Sequence, residues 1–401
     1  MVFSSNCASS ACRVQVFITI MFLHLINNDP KFPKSIRVKY EVIDPGNHVY
    51  VIVKASPEAP ELEGDEFTYV EEPTELAAII QGPNDWEGII INGLLASLSG
   101  FMPVIPRDLP VAYFIWGWEV YPSVFSVSST LLGPQTRREF QSFSGQLRMF
   151  LSSLIGPRAR LRIKSRKVAK RVDVVSFPIR EEAEQFISNG IFSRSVQYHC
   201  ANVGGGTDFD DPLSRLRVTG QNILVGNSAA PTSNHLDTFA WLDGQKLNLS
   251  QRQVIVPLSY GGCSAYIERV VSEGYKCFGD SFVPLLEFMP RAKYVDIILS
   301  ASCVVMNHYR QQGAGNIFLS LTHGSSVYLH ENSTLSKGLK RMGFKIGDIN
   351  SKATLDEFCI EDLNHNRALA RVHFSKKHTY ENTEKLLLLL RTLGNRPVDG
   401  S

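Results

Sequence analysis

The chain has 401 residues, of which 44% are hydrophobic and 20% charged, with a formal net charge of +2. These figures exclude a disordered or fibrous chain and leave room for two domains of roughly 150–200 residues each. The near-neutral balance also excludes any inference about partners from bulk charge, so only local charge is informative. Seven cysteines, an odd number with no CxxC pair and no zinc-type spacing to histidine, read as reduced thiols.

Residues 1–13, rich in Ser, Cys and Ala, read as a disordered extension. The apolar run 14–26 (VQVFITIMFLHLI) is shorter than the ~20 residues that a bilayer requires. No small-residue cleavage site follows it, so it reads as a first buried β-strand over 16–25. Further strands are expected at 49–54, 88–92, 111–116 and 171–177. Most are continuous apolar runs, the pattern of strands buried on both faces. Helices are expected at 74–81 and 140–155.

The strand 111–116 ends in Trp116-Gly117-Trp118-Glu119, which sets a carboxylate beside two indoles. Such surroundings raise a carboxyl pKa and suit a general base, with the rings available to stack on sugar faces. The expectation is that Glu119 projects into a cleft. A basic stretch follows at 158–171, with Arg158, Arg160, Arg162, Lys164, Arg166, Lys167, Lys170 and Arg171 and no acid. Anionic head groups attract such a segment by about 1 kcal/mol per cation. The stretch contains no aromatic residue, which argues against nucleic acid. A membrane surface or a lipid-linked diphosphate is the expected partner, with Trp118 on the same acceptor side.

Around 206–220 the chain turns rich in Gly and Asp and reads as a linker between a first domain over 14–205 and a second over 221–375. In the second domain strands are expected at 222–225, 254–258, 282–288, 304–307 and 326–329. Helices at 235–242, 265–273, 291–300, 316–322 and 335–342 alternate with them, the pattern of a doubly wound sheet. The segment 376–401 contains a last helix with the run LLLLL, expected to pack back on the first domain. Ligands of such sheets bind at the carboxyl ends of strands.

Three strand-end loops carry the polar chemistry. The first runs from Gly226 through Asn227, Ser228 and Asn234 to His235, small and polar and ending at a helix start, which suits phosphate. Ordinary capped turns look the same, so the pattern alone is weak. The second holds Tyr260. The third, Asn307 to Asn316, combines His308, Arg310, Gln311 and a Gly-Ala-Gly run ending in Gly315. A fixed cation and exposed backbone amides can stabilise the charge that develops on a departing diphosphate. Glu287 ends another strand and could hold ribose hydroxyls or a base, or serve the dipole of the next helix.

Taken together, ILVGNSAAPTSNHLDTF, IVPLSYGGCSAYIERV, LLEFMPRAKYVDIILSASCVVMNHYRQQGAGNIFLSL and IWGWEVYP resemble glycosyltransferase family 56. Its members are TDP-N-acetylfucosamine:lipid II N-acetylfucosaminyltransferases of enterobacterial common antigen synthesis. The resemblance is densest over 222–324. It implies an α/β fold of GT-B type, two Rossmann-like domains facing across a cleft, with no cofactor and no metal. It also implies a TDP-sugar donor in the second domain and a polyprenyl-diphosphate-linked acceptor at the cytoplasmic face of the inner membrane. Carried over by position, Asn227, Ser228, Asn234, His235, Tyr260, Glu287, His308, Gln311, Gly315 and Asn316 bind the donor, and Glu119 and Arg310 are catalytic. Where the family has a small residue and then Asp, this chain has Trp118 and then Glu119. Two other readings of the residues stand beside this one: a non-hydrolysing sugar-nucleotide epimerase, and a membrane-associated binding protein without chemistry.

Overall fold

The structure, a computed structural model, describes residues 20–29, 32–54, 66–117, 119–121, 131–140, 157–349, 354–355 and 357–394. The extension 1–13, Trp118 and nearly all of the helix expected over 140–155 lie outside the described residues.

The first half is a seven-stranded, all-parallel sheet. In chain order its elements are β1 (Ile20–Asn27), α1 (Pro33–Ile43), β2 (His48–Val53), β3 (Thr68–Val70), α2 (Pro73–Ile80), β4 (Asp85–Asn92) and β5 (Val111–Phe114). These are followed by α3 (Pro134–Phe140), α4 (Pro157–Ala169), β6 (Val174–Ser176), α5 (Arg180–Ser188) and β7 (Gln197–His199). The spatial order is β3-β2-β1-β4-β5-β6-β7. Successive side chains of one strand serve opposite faces. Leu23, Val51, Ile89 and Tyr113 pack with α2, α4 and α5, while Phe22, Ile52, Ile90 and Phe114 pack with α1.

The second half repeats the plan with β8 (Asn222–Val225), α6 (His235–Gly244), β9 (Val254–Pro257), α7 (Ser264–Phe278), β10 (Phe282–Leu285), α8 (Arg291–Ser300) and β11 (Ala301–Met306). There follow α9 (Ala314–His323), β12 (Ser326–Leu329), α10 (Thr334–Arg341), β13 (Gly347–Asp348), α11 (Ile360–His373) and α12 (Lys376–Gly394). This parallel sheet runs β10-β9-β8-β11-β12-β13. In both sheets the order reverses beside the first strand, so each has a crevice where successive loops diverge: β1/β4 in the first, β8/β11 in the second.

The strands β3, β7 and β13 are two or three residues long and lie in the outer part of each sheet, too short to leave an apolar run in the sequence. The strand expected over 282–288 stops at Leu285, because Leu286, Glu287 and Phe288 leave the sheet and are exposed. The basic stretch is the helix α4, started by Pro157, which suits a first turn where no N–H partner is available.

The chain passes between the domains twice. Near the first passage Lys39 of α1 donates through Nζ to the carbonyls of Asn202 and Val203, at 2.7 and 3.2 Å. Thr207 then pairs with Ser375 on the returning passage: Thr207 N donates to Phe374 O and Lys376 N to Thr207 O, each at 2.8 Å. Beyond it, α12 lies on the first sheet, with Leu386, Leu387 and Leu390 fully buried beside α1. Arg391 ties this helix to Glu87 at 2.6 Å and Asp44 at 2.8 Å.

Candidate active site

The crevice of the second sheet is built by the loops after β8 and β11. Gly226 turns the first loop with φ +69, a left-handed conformation that glycine tolerates without strain. Gln312, almost fully buried, joins the two loops: its Nε2 donates to Asn227 Oδ1 at 3.0 Å and Ser233 Oγ at 3.2 Å, and its Oε1 accepts from Thr232 Oγ1 at 2.7 Å. Asn227 in turn donates to the hydroxyl of Tyr260, at 3.2 Å, so the loop after β9 joins the same wall. The helix α9 starts here behind Gly313, with Gly315 exposed at its first turn and Asn316 fixed by Tyr294 at 2.7 Å. The first amides of a helix lack intrahelical partners and attract anions.

Arg310 lies between those loops and the first domain. Its guanidinium sits 5.2 Å from the Tyr121 ring centroid. Burial pulls it below the usual arginine range, while the charges of Tyr121, Glu182 and Glu119 oppose that shift. Among the described residues it makes no hydrogen bond or ion pair. A partly buried guanidinium with unmet donors matches an anionic ligand.

Other expected donor residues are occupied by the protein itself. Asn234, with φ +51 and no exposed surface, accepts from Gly133 N at 2.8 Å and donates to Asn307 O at 2.8 Å and Leu131 O at 3.3 Å. Its carboxamide therefore joins the two domains. His235 is fully buried, with Nδ1 3.0 Å from the Tyr266 hydroxyl, and burial lowers its pKa to about 3. His308 is likewise enclosed, its pKa lowered to about 3 by burial and by Arg310 and His235. Glu287 is exposed at the rim, next to Phe288 with 75% of its surface open.

In the first domain Glu119 does not project outward as expected. It is 7% exposed, and its Oε1 accepts from Trp116 N at 2.7 Å and the Tyr113 hydroxyl at 3.1 Å. A sharp turn brings the carboxylate back to these donors, and Gly117 makes that turn with φ +95. A Cβ on Gly117 would lie 3.0 Å from Gln311 Oε1, so the turn also presses on the loop after β11. Burial raises the Glu119 pKa to about 7. Gln311 N donates to the Tyr121 hydroxyl at 3.3 Å, and Gln135 N and Thr136 N donate to Asp237 at 2.7 and 2.9 Å. The two domains thus meet around Arg310.

The basic helix α4 stands apart from this constellation. Arg160, Lys164, Arg166 and Lys167 are exposed, Arg162 is half-buried, and Ile163 among them is 69% exposed. Arg158 belongs to the first turn of the same helix. Val168 and Ala169 anchor α4 to the sheet. Among the described residues no helix is long and apolar enough to cross a membrane, and no group of three or more His, Cys, Asp or Glu is placed to hold a metal ion.

Gln312, Tyr121 and Glu182 are members of the site that the sequence reading passed over. Gln312 adjoins a residue that was singled out, and only the loop pairing distinguishes it. Tyr121 and Glu182 owe their place to a contact between domains, which leaves no local pattern.

No curated protein sequence matches the chain. Among solved structures, a glycosyltransferase from Rickettsia africae ESF-5 superposes with a TM-score of 0.60 at 11% identity, covering 94% of this chain and all of that one (100%). Sucrose-phosphate synthase from Thermosynechococcus elongatus follows at 0.58 and 13% identity, over 93% and 99%. A protein of Anabaena solved in complex with UDP gives 0.58 at 13% identity, over 92% and 100%. Likeness at such identity speaks for the fold, two Rossmann-like domains facing across a cleft. Residues 211–376, which hold the loops after β8, β9 and β11, match the family described as 4-alpha-L-fucosyltransferase glycosyl transferase group 56. Over that stretch the chain is similar to glycosyltransferase group 56, and it is a glycosyltransferase of GT-B architecture.

Proposed function

We propose that this glycosyltransferase moves 4-acetamido-4,6-dideoxygalactose, or a related deoxyaminosugar, from a TDP-sugar to a polyprenyl-diphosphate-linked saccharide in cell-surface polysaccharide synthesis. The observation that carries the donor half is Arg310, a partly buried cation without a hydrogen-bond partner among the described residues, where the loops after β8 and β11 diverge. The deoxyaminosugar and the lipid-linked acceptor are supported by the family match over 211–376 and by the motif resemblance.

In this reading the diphosphate lies against Arg310 and the first amides of α9, at Ala314 and Gly315, with Asn227, Ser228 and Tyr260 on the opposite wall. The acceptor hydroxyl oxygen attacks the anomeric carbon as the bond to the diphosphate oxygen breaks. Its proton passes to Glu119, and the added negative charge of the leaving diphosphate falls on Arg310. Glu119 suits the base because its pKa of about 7 keeps a usable fraction ionised at neutral pH. The exposed cations of α4, with Ile163 among them, hold the first domain on an anionic membrane at the cytoplasmic face, where a lipid-linked acceptor is within reach.

The test is transfer of TDP-4-acetamido-4,6-dideoxygalactose to a polyprenyl-diphosphate saccharide, followed by extraction of product into organic solvent. Wild-type protein is expected to form product, and Arg310→Ala to lose about 10²–10³ in turnover. Turnover unchanged in Arg310→Ala removes Arg310 from the chemistry. Transfer from UDP-sugars alone replaces the donor, and release of nucleotide without an acceptor product replaces the reaction.

A further inference from the structure

The carboxylate of Glu182 is fully buried, although burying a charge is unfavourable unless other groups compensate it. It sits in the first turn of α5, in the first domain, yet the threonine hydroxyl that donates to its Oε2 is that of Thr334, which opens α10 of the second domain. The Tyr121 hydroxyl bonds to the same carboxylate. That hydroxyl also accepts from Gln311 N at 3.3 Å, and the face of its ring lies 5.2 Å from the Arg310 guanidinium. The chain of contacts therefore runs Thr334, Glu182, Tyr121, Arg310 and crosses the boundary between domains twice.

The surroundings of this chain are built for close approach. Glu181, next to Glu182, binds Arg341 of α10 at 2.5 and 3.4 Å. Gly338 of α10 presses on Ile179, where a Cβ would collide with the isoleucine side chain. Among the described residues, Glu182 and Glu119 are the carboxylates whose charge reaches Arg310. Glu119 is turned toward Trp116 N and Tyr113, so Glu182 is the acid that reaches the Arg310 loop through a side chain.

We propose that Glu182 is a positioning residue for the donor site: through Tyr121 it sets the direction of the Arg310 guanidinium, and through Thr334 it makes that direction depend on the domains being closed. The inference rests on the reading of Arg310 as the diphosphate-binding cation. Glu182 itself stays clear of substrate. Its part is to hold the Tyr121 hydroxyl, so that the ring carries Arg310 at one angle and the loop Arg310–Gln312 at one height. When the domains part, Thr334 leaves Glu182, and the tyrosine and arginine lose their fixed orientation. The closed form is thereby the form with high affinity for a nucleoside diphosphate.

The test measures TDP binding to the full-length protein by titration calorimetry, with melting temperature recorded for each variant. Tyr121→Phe keeps the ring and deletes the hydroxyl. Glu182→Leu deletes the carboxylate at similar volume, and Glu182→Gln keeps the hydrogen-bonding shape. We expect Tyr121→Phe and Glu182→Leu each to weaken TDP binding about tenfold, and Glu182→Gln to restore most of it. In an Arg310→Ala background the same substitutions should make no further difference, the mark of action through Arg310. Unchanged affinity in both Tyr121→Phe and Glu182→Leu overturns the proposal. So does a loss that persists undiminished in the Arg310→Ala background, which assigns Glu182 to the fold alone. Should Glu182→Leu not fold, Tyr121→Phe decides by itself. A wild-type protein that binds neither TDP nor UDP overturns the donor reading first, and that result is visible before any substitution is made.

Discussion

Glu119 and Arg310 show how a residue's chemistry is set by what the backbone does around it. The Gly117 turn bends the carboxylate of Glu119 back onto the amide of Trp116. The resulting burial, more than any neighbouring charge, moves its pKa to about 7. A base accepts a proton only when ionised, so turnover should climb as pH rises through about 7 and level off above it. Glu119→Gln should remove that limb and lower the rate by about 10²–10⁴. A rate profile that is flat between pH 6 and 8 in wild-type protein would assign Glu119 to the loop alone. The surroundings of Asn234 and His235 follow a different rule. Both lie in a loop whose composition suits a ligand, yet one is held by the other domain and the other by Tyr266. Polar residues near a crevice serve the walls as often as the guest.

At the scale of elements, α4 is the piece whose surface is least explained by packing, because Arg160, Lys164, Arg166 and Lys167 face outward. Reversing Arg160, Lys164 and Lys167, which lie along one line of the helix, should weaken binding to vesicles containing anionic lipid by about 100-fold at low salt. Neutral vesicles serve as the control, and equal binding to both would leave α4 a solvated face. Long or fully buried elements were readable in the chain. The apolar runs of β1, β2, β4, β9 and β11 and the helices punctuated by Gly324 and Gly343 stand within a few residues of their expected places. The short outer strands β3, β7 and β13 carry too few residues to show a period. In the site, the strand-end loops of the second domain were legible because strand ends rich in small polar residues stand out. Tyr121, Glu182 and Gln312 were not, because each acquires its role from a residue 80 or more positions distant, as in the Gln312–Thr232 bond.

Across the whole molecule, six buried histidines among the described residues, His323 and His330 of the second domain included, link stability to acid. His24 and His48 share a hydrogen bond under the first sheet, and His235 and His308 lie beneath the loops after β8 and β11. Burial holds His24 well below its ordinary value, His48 at about 4, and His235 and His308 at about 3. An unfolded chain protonates these groups near 6.5 while the folded one does not, so their support is complete above that pH and declines from 6.5 toward 4. Glu119 and Glu182, with pKa values raised to about 7, act in the opposite sense between 4.5 and 7, but they are two against six. The melting temperature should therefore fall on acidification from pH 7 to 5, and both domains should soften because each holds buried histidines, two in the first and four in the second. A melting temperature that rises over that interval would contradict this balance. The double passage of the chain at Thr207 and Ser375 has a mechanical consequence as well. A single linker lets two bodies turn about any axis through it, whereas two adjacent segments bonded side by side act like a door hung on two pins. The domains are left one easy rotation and resist torsion about the long axis of the cleft. Opening then changes the gap between the two facing walls without scrambling which loop faces which, so that each closure returns Thr334 to Glu182 and Tyr121 to the Arg310 loop as a property of the chain's path.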